Sequence, residues 1–250
     1  MKLYTDKLGI RVLPSLGIGD MVQYCAIPEN FYKNYGTKLI DVSNCWIWDE
    51  NPYIERNIET DNVIDLWSLS WNCDDFLNRS ELMNSVLEFP KIYCRSPRLY
   101  FNEDPKHMLQ NKLCLHSQGI SSRTILSKNI IDKIKERYSN YDIVQIGGLD
   151  DVDCQVNDAR GLDMWQTVEE ISTSSIFIGV NSGMMNIANC YPHINKKLII
   201  DLASGQFDEN LNRFSPLSKN HNLFEWIDHG WQYYNDTNVD IGVTYTYNKI

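Results

Sequence analysis

Apolar and polar positions along the chain follow two alternating rhythms. Short runs of β-favouring residues are spaced by stretches in which apolar residues recur every third or fourth position. The clearest run is Ile176 to Val180, too apolar for a strand with one wet face and suited to one buried on both faces of a parallel sheet. The turn Asn181-Ser182-Gly183 ends it, and Met184, Ile187 and Ala188 restart at helical spacing. Similar runs at Ile10–Leu13, Lys38–Val42, Val63–Leu66, Lys112–Leu115, Tyr141–Ile146 and Lys197–Leu202 predict further strands. Helical patterns fall between them. The first carries Met21, Tyr24, Cys25, Ile27, Phe31 and Tyr35, with Pro28 kinking it or ending it early, and the next runs from Glu81 to Phe89, closed by Pro90. A third covers Ile125–Tyr138, with Ile130, Ile131 and Ile134 inward and Lys128, Lys133, Lys135 and Glu136 outward. A fourth carries Leu162, Trp165, Val168 and Ile171. The aromatic cluster Trp46-Ile47-Trp48 reads as packing, and Trp67 to Asp75 as a loop.

This β-α-β-α alternation predicts an α/β protein of two Rossmann-like domains, each a parallel sheet with helices on both faces. The polar, proline-ended stretch Asn102–Pro105 divides them, giving domains over residues 1–104 and 105–250 that face each other across a cleft.

Composition narrows the partners. A formal net charge of -10 argues against nucleic acid, whose recognition needs clustered positive charge. No apolar run approaches the roughly 20 residues that span a bilayer, and the first residues lack a signal-peptide core. Seven scattered cysteines without a Cys-x-x-Cys pair suggest buried thiols of a reducing compartment, so a cytoplasmic protein is expected. A peripheral position at a membrane stays open.

The candidate chemistry sits where predicted strands end. Ser15-Leu16-Gly17-Ile18-Gly19-Asp20 follows the first strand, and its glycines Gly17 and Gly19 permit a tight turn close to a ligand. Asp20 reads either as the cap of the next helix or as a carboxylate at the mouth of a βα crevice. His116 to Thr124 is a small-polar loop in which Arg123 could partner an anion. Gly147-Gly148 allows close backbone approach. At Ser182, Gly183 and Met184 a strand, a turn and a helix start place unpaired amides at the sheet edge, a setting for a phosphate, or else only a turn. Asp74-Asp75 and Asp150-Asp151-x-Asp153 read as solvated loop charges rather than metal ligands.

Taken in order, these motifs resemble glycosyltransferase family nine, the ADP-heptose:lipopolysaccharide heptosyltransferases of the GT-B fold. The resemblance rests on Gly17-Ile18-Gly19-Asp20, the strand Val63-Ile64-Asp65-Leu66, Pro97-Arg98-Leu99, His116 to Arg123, Val144 to Gly148, Asp158-Ala-Arg-Gly-Leu162 and Phe177 to Ala188, over about residues 10 to 205. It implies an inverting, metal-independent transferase, without a cofactor, that moves a heptose or hexose from a nucleoside-diphosphate donor to a glycan, lipid or protein hydroxyl. Asp20 would be the catalytic base. Gly17, Gly19, His116, Ser117, Ser122, Arg123, Gly147, Gly148, Asn181, Ser182, Gly183, Met184 and Asn186 would line the substrate site. Three features depart from the family pattern. Asn181 stands where Asp is usual and Asn186 where His is usual; the His-Pro-Gly loop has become His-Ser-Gln-Gly; and the first half is short. The alternatives are a sugar-nucleotide-binding module that has lost catalysis, or an epimerase or hydrolase of the same architecture.

Overall fold

The computed structural model describes residues 7–13, 17–66, 68, 87–94, 97–101, 109–119, 125–180, 182–194, 196–201, 207–208, 213–214 and 231–235. Ser122, Arg123, Asn181, the loop from Trp67 to Asp75 (Ser68 excepted), most of the helix expected from Glu81, and the stretch Asn102–Pro105 lie outside them. The chain divides into two compact units, Met1–Phe101 and Asn102–Ile250.

In the first unit four short strands form a parallel sheet: β1 (Gly9–Arg11), β2 (Leu39–Asp41), β3 (Ile54–Glu55) and β4 (Val63–Asp65), in the order β3-β2-β1-β4. Helix α1 (Ile18–Gln23) follows β1, passes through a 3-10 turn at Tyr24–Ala26, and is succeeded by α2 (Ile27–Tyr35). Pro28 stands in the first turn of α2, where its missing N–H costs nothing, so it starts a helix rather than kinking one. Gly36, at φ 74°, closes α2 by donating its amide to the Tyr32 carbonyl.

Two asparagines on α2, Asn30 buried and Asn34 half-buried, hold the segment before the end of this unit. Asn30 donates to the Ala26 and Cys94 carbonyls and accepts from the Tyr93 and Cys94 amides; Asn34, one turn on, donates to the Lys91 carbonyl and accepts its amide. A side-chain amide thus stands in for a neighbouring strand, pairing with backbone groups of residues 91–94.

The second unit is built on six parallel strands: β5 (Leu109–His116), β6 (Asp142–Gly147), β7 (Asn157–Arg160), β8 (Ser174–Val180), β9 (Lys196–Asp201) and β12 (Trp231–Asn235). A two-stranded hairpin of β10 (Phe207–Asp208) and β11 (Arg213–Phe214) precedes the last strand. The order β12-β9-β8-β5-β6-β7 begins at β5, runs outward one way through β6 and β7, and then outward the other way through β8, β9 and β12. This is the strand order of doubly wound nucleotide-binding sheets, and its direction reverses between β5 and β8.

Helix α3 (Lys128–Arg137) is capped by Ser127 and buries Ile130, Ile131 and Ile134 against Leu115, Ile178 and Leu198 on one sheet face. Helix α4 (Met164–Ser172) starts with a reciprocal capping box between Asp163 and Gln166. β8 is buried along its whole length, as its uninterrupted apolar run requires. A buried lysine, Lys112, is stabilised at the other end of β5 by Glu170 at 2.6 Å and Thr173 at 2.8 Å.

Five strands, β3, β7, β10, β11 and β12, are not among those read in the sequence. Asp158–Gly161, expected as the approach to a helix, contributes Asp158–Arg160 to edge strand β7, and Leu162 precedes α4 rather than lying in it. The polar, aromatic C-terminal segment supplies β12, paired in register with β9 from Trp231 to Asn235.

Candidate functional site

Strands β5, β6 and β8 deliver a group of polar residues to the carboxyl edge of the second sheet, beside the reversal point where doubly wound sheets take ligands. His116 ends β5, level with Ile146 on β6 and Gly179 on β8. A Cβ on Gly179 would lie 3.4 Å from His116 Cβ, and one on Gly147 would lie 3.4 Å from His116 Cδ2. Both glycines thus lie in ordinary contact with His116, which is only 5% exposed.

The imidazole has two neighbours. Its Nδ1 is 3.0 Å from Ser182 Oγ, and its Nε2 is 3.9 Å from Asp151 Oδ2. Burial pushes the His116 pKa down to about 4, so the ring is neutral near pH 7. Ser182 is the residue before α5 (Gly183–Asn189), but its hydroxyl makes no cap hydrogen bond to that helix. It faces the histidine instead. Asn186, also buried, turns its amide back along α5 toward the Ser182 carbonyl at 3.4 Å, while its Oδ1 has no hydrogen-bond partner among the described residues.

After β6 the chain makes a tight loop. Gly147 adopts φ 134°, and a Cβ there would collide with Asp151 Oδ2. The Asp151 carboxylate accepts the Gly148 amide at 3.0 Å. Burial raises the Asp151 pKa, against the lowering effect of that amide and of Arg160. Asp151 is thus folded into the site edge and is not one of the solvated charges that the run Asp150-Asp151-x-Asp153 suggests. The signal lies in the sequence: a Gly-Gly pair followed three residues later by Asp closes a turn on itself. Buried Gln145 braces the rest of this loop, donating to the Val152 carbonyl at 2.6 Å and accepting the Cys154 amide at 2.8 Å. Ser117 is fully buried, its hydroxyl accepting from Gln145 and donating to the Val152 carbonyl. Its side chain supports the loop from beneath.

Replacing Gly147 with Ala is expected to lower stability by about 2 kcal/mol or more, since backbone strain and the displaced Asp151 act together. The same change at Gly36, where nothing lies within 4 Å of the new methyl, should cost about 1 kcal/mol. Urea midpoints of the two variants measure the difference.

On the first unit, Gly17 is the N-cap of α1 with no side-chain cap bond, and Gly19 and Asp20 already lie in its first turn. Asp20 is therefore not the cap: the helix begins three residues earlier than the spacing of Met21 and Tyr24 implies. A Cβ on Gly17 would sit 3.3 Å from Asp20 Oδ2, so the carboxylate folds back over the glycine. Among the described residues no cluster of three or more His, Cys, Asp or Glu could hold a metal ion, and no helix is long and apolar enough to cross a membrane.

No protein-family model matches the chain, and no curated protein matches it in sequence. Solved structures do match it in fold. A glycosyl transferase family 9 protein from Veillonella parvula DSM 2008 superposes with a TM-score of 0.65 at 10% identity, over 94% of this chain and 87% of that one. The iron-containing dodecameric glycosyltransferase TibC from enterotoxigenic E. coli H10407 gives 0.63 at 16% identity, over 82% of this chain and 60% of that one. The E. coli heptosyltransferase WaaC, solved with ADP, gives 0.59 at 10% identity, over 94% and 93%. TibC has also been solved in complex with ADP-D-beta-D-heptose. At these identities the likeness is one of fold. At that level the resemblance to glycosyltransferase family nine read from the motifs is borne out, as is the expectation of an α/β chain with two parallel sheets.

Proposed function

We propose that this chain is a glycosyltransferase that binds a nucleoside-diphosphate sugar at the carboxyl edge of the second sheet and transfers the sugar to a glycan, lipid or protein hydroxyl. The observation that carries this reading is the convergence of His116, Ser182 and the Gly147-Gly148 turn at the reversal point of a sheet with nucleotide-binding strand order. The fold likeness supports it, because WaaC and TibC, which share the fold, have been solved with ADP and an ADP-sugar.

The chemistry follows from what such a transfer requires. The acceptor oxygen attacks the anomeric carbon with inversion, and its proton passes to a base; by its place in the Gly17-Ile18-Gly19-Asp20 loop we assign that base to Asp20. The departing diphosphate gathers negative charge, which the Ser182 hydroxyl, the neighbouring amides of Gly183 and Met184, and Arg123 are suited to stabilise.

A binding module without turnover is favoured by one observation, the identity of Asn186. It is buried, bonded back to Ser182, and has no proton to exchange where the family usually carries a histidine. A thermal-shift panel of ADP, UDP, GDP, CMP and their sugars tests both readings. A ligand at one hundred times its Kd should add about 2.7 kcal/mol of stability. Stabilisation with transfer to an added acceptor supports the enzyme, stabilisation without any turnover supports the module, and a flat panel removes both.

A further inference from the structure

The His116–Ser182 pair has a property that neither residue has alone. A serine before a helix ordinarily turns its oxygen onto the first-turn amides, acting as an acceptor. Here Ser182 makes no such bond, and its Oγ lies 3.0 Å from a ring held between two glycine-bearing strands. A neutral imidazole carries its proton on one nitrogen only, and the choice decides what the hydroxyl can do. With the proton on Nε2, facing Asp151, Nδ1 accepts the serine hydrogen and the outward side of Oγ offers only lone pairs. Those would repel a phosphate oxygen. With the proton on Nδ1, the ring donates to Oγ and the serine O–H is released to donate outward.

We infer that His116 is a positioning residue that, in its Nδ1–H tautomer, fixes Ser182 as a hydrogen-bond donor to the diphosphate of the donor substrate. This rests on the glycosyltransferase reading above and deepens it. Every part of the relay is in the second unit. The Asp151 carboxylate, 3.9 Å from Nε2, favours the opposite tautomer in the empty protein, so an anion arriving at Ser182 draws the ring proton from the Asp151 side to the Ser182 side. The low pKa that burial imposes keeps the ring from carrying both protons and so keeps the choice exclusive. The two tautomers differ only in the placement of one proton, exchanged through solvent, and no net charge changes.

The test takes whichever of ADP, UDP or GDP stabilises the wild-type protein most, and measures its affinity and that of its nucleoside by calorimetry. S182A should weaken the diphosphate about tenfold, the loss of one hydrogen bond to a charged group, and leave the nucleoside unchanged. H116L should do the same, H116N, whose amide can replace Nδ1–H, should stay within about threefold of wild type, and H116L added to S182A should cost nothing further. Independent, additive losses in the double variant, or an H116L protein that is folded and binds like wild type, would overturn the relay while leaving the transferase reading intact. No diphosphate binding by the wild type would overturn both. Nitrogen-15 histidine spectra of the wild-type protein supply a readout that does not depend on a variant folding. They should show Nδ1 protonated when the nucleotide is bound, and a ring that stays protonated on Nε2 in the complex refutes the inference.

Discussion

Replacing Asp20 with Asn should reduce sugar transfer by about a hundredfold to ten-thousandfold, the usual contribution of a positioned base, with the nucleotide-induced thermal shift unchanged. The substitution keeps the shape of the side chain where it folds back over Gly17. It removes one negative charge from the first turn of α1, an effect on stability of about 0.3–1 kcal/mol, too small to unfold the unit. A kinetic loss far larger than the stability change therefore identifies proton transfer. D20A gives the complementary measurement, because it also removes the contact with Gly17. If the two variants lose nucleotide binding together with turnover, Asp20 is a structural residue of the α1 start, and the base lies elsewhere.

The second large effect is a loss of stability in acid, traced to His116. Its pKa is about 4 in the folded protein against an ordinary value of 6.5, so between those pH values the unfolded chain takes up a proton that the folded one refuses. Stability from this residue is complete above pH 6.5 and declines as pH falls toward 4. Linkage gives about 2 kcal/mol by pH 5 and about 3 kcal/mol near pH 4. Burial moves Asp151 the other way. Its raised pKa means that acid relieves a cost, offsetting part of the loss at the low end of the range. Glu29, held below its usual value by Lys33, Arg98 and Tyr100 against the opposing effect of burial, adds to acid lability in both the wild type and a His116 variant. The comparison that isolates His116 is thus the difference in urea-derived stability between pH 7 and pH 5 for wild type and H116L. The variant should lose about 2 kcal/mol less. Equal losses would show that the ring is reached by solvent and titrates normally.

The elements legible in the sequence were those that carry a run of buried apolar residues. β5, β8 and β9 are enclosed by neighbours, and their apolar runs declare them. β7 has the sequence Asn-Asp-Ala-Arg and, among the described residues, pairs with β6 alone, held by its backbone register and by polar contacts of Asn157 and Arg160 rather than by apolar burial. No pattern of hydrophobicity encodes that. The helix start at Ile18 was displaced for a related reason: a glycine cap with no side-chain bond leaves no capping residue to read. At the candidate site, Ser182 and the Gly147-Gly148 turn follow from local rules of strand ends and turns. The link from His116 to Ser182 spans 66 residues and arises only when β5 and β8 become neighbours. Asp151 was hidden by company, one carboxylate among three, and only the turn that folds it under Gly148 sets it apart.

The outermost strand of the large sheet comes from the end of the chain. Residues Trp231–Asn235 cover β9, whose Leu198, Ile199 and Ile200 are almost wholly buried. Shortening the protein before Trp231 would strip that cover and leave a bare row of amide and carbonyl groups beside a strongly apolar ribbon. Such a border invites a second molecule to add its own strand, so a trimmed version made for crystallisation or labelling should self-associate.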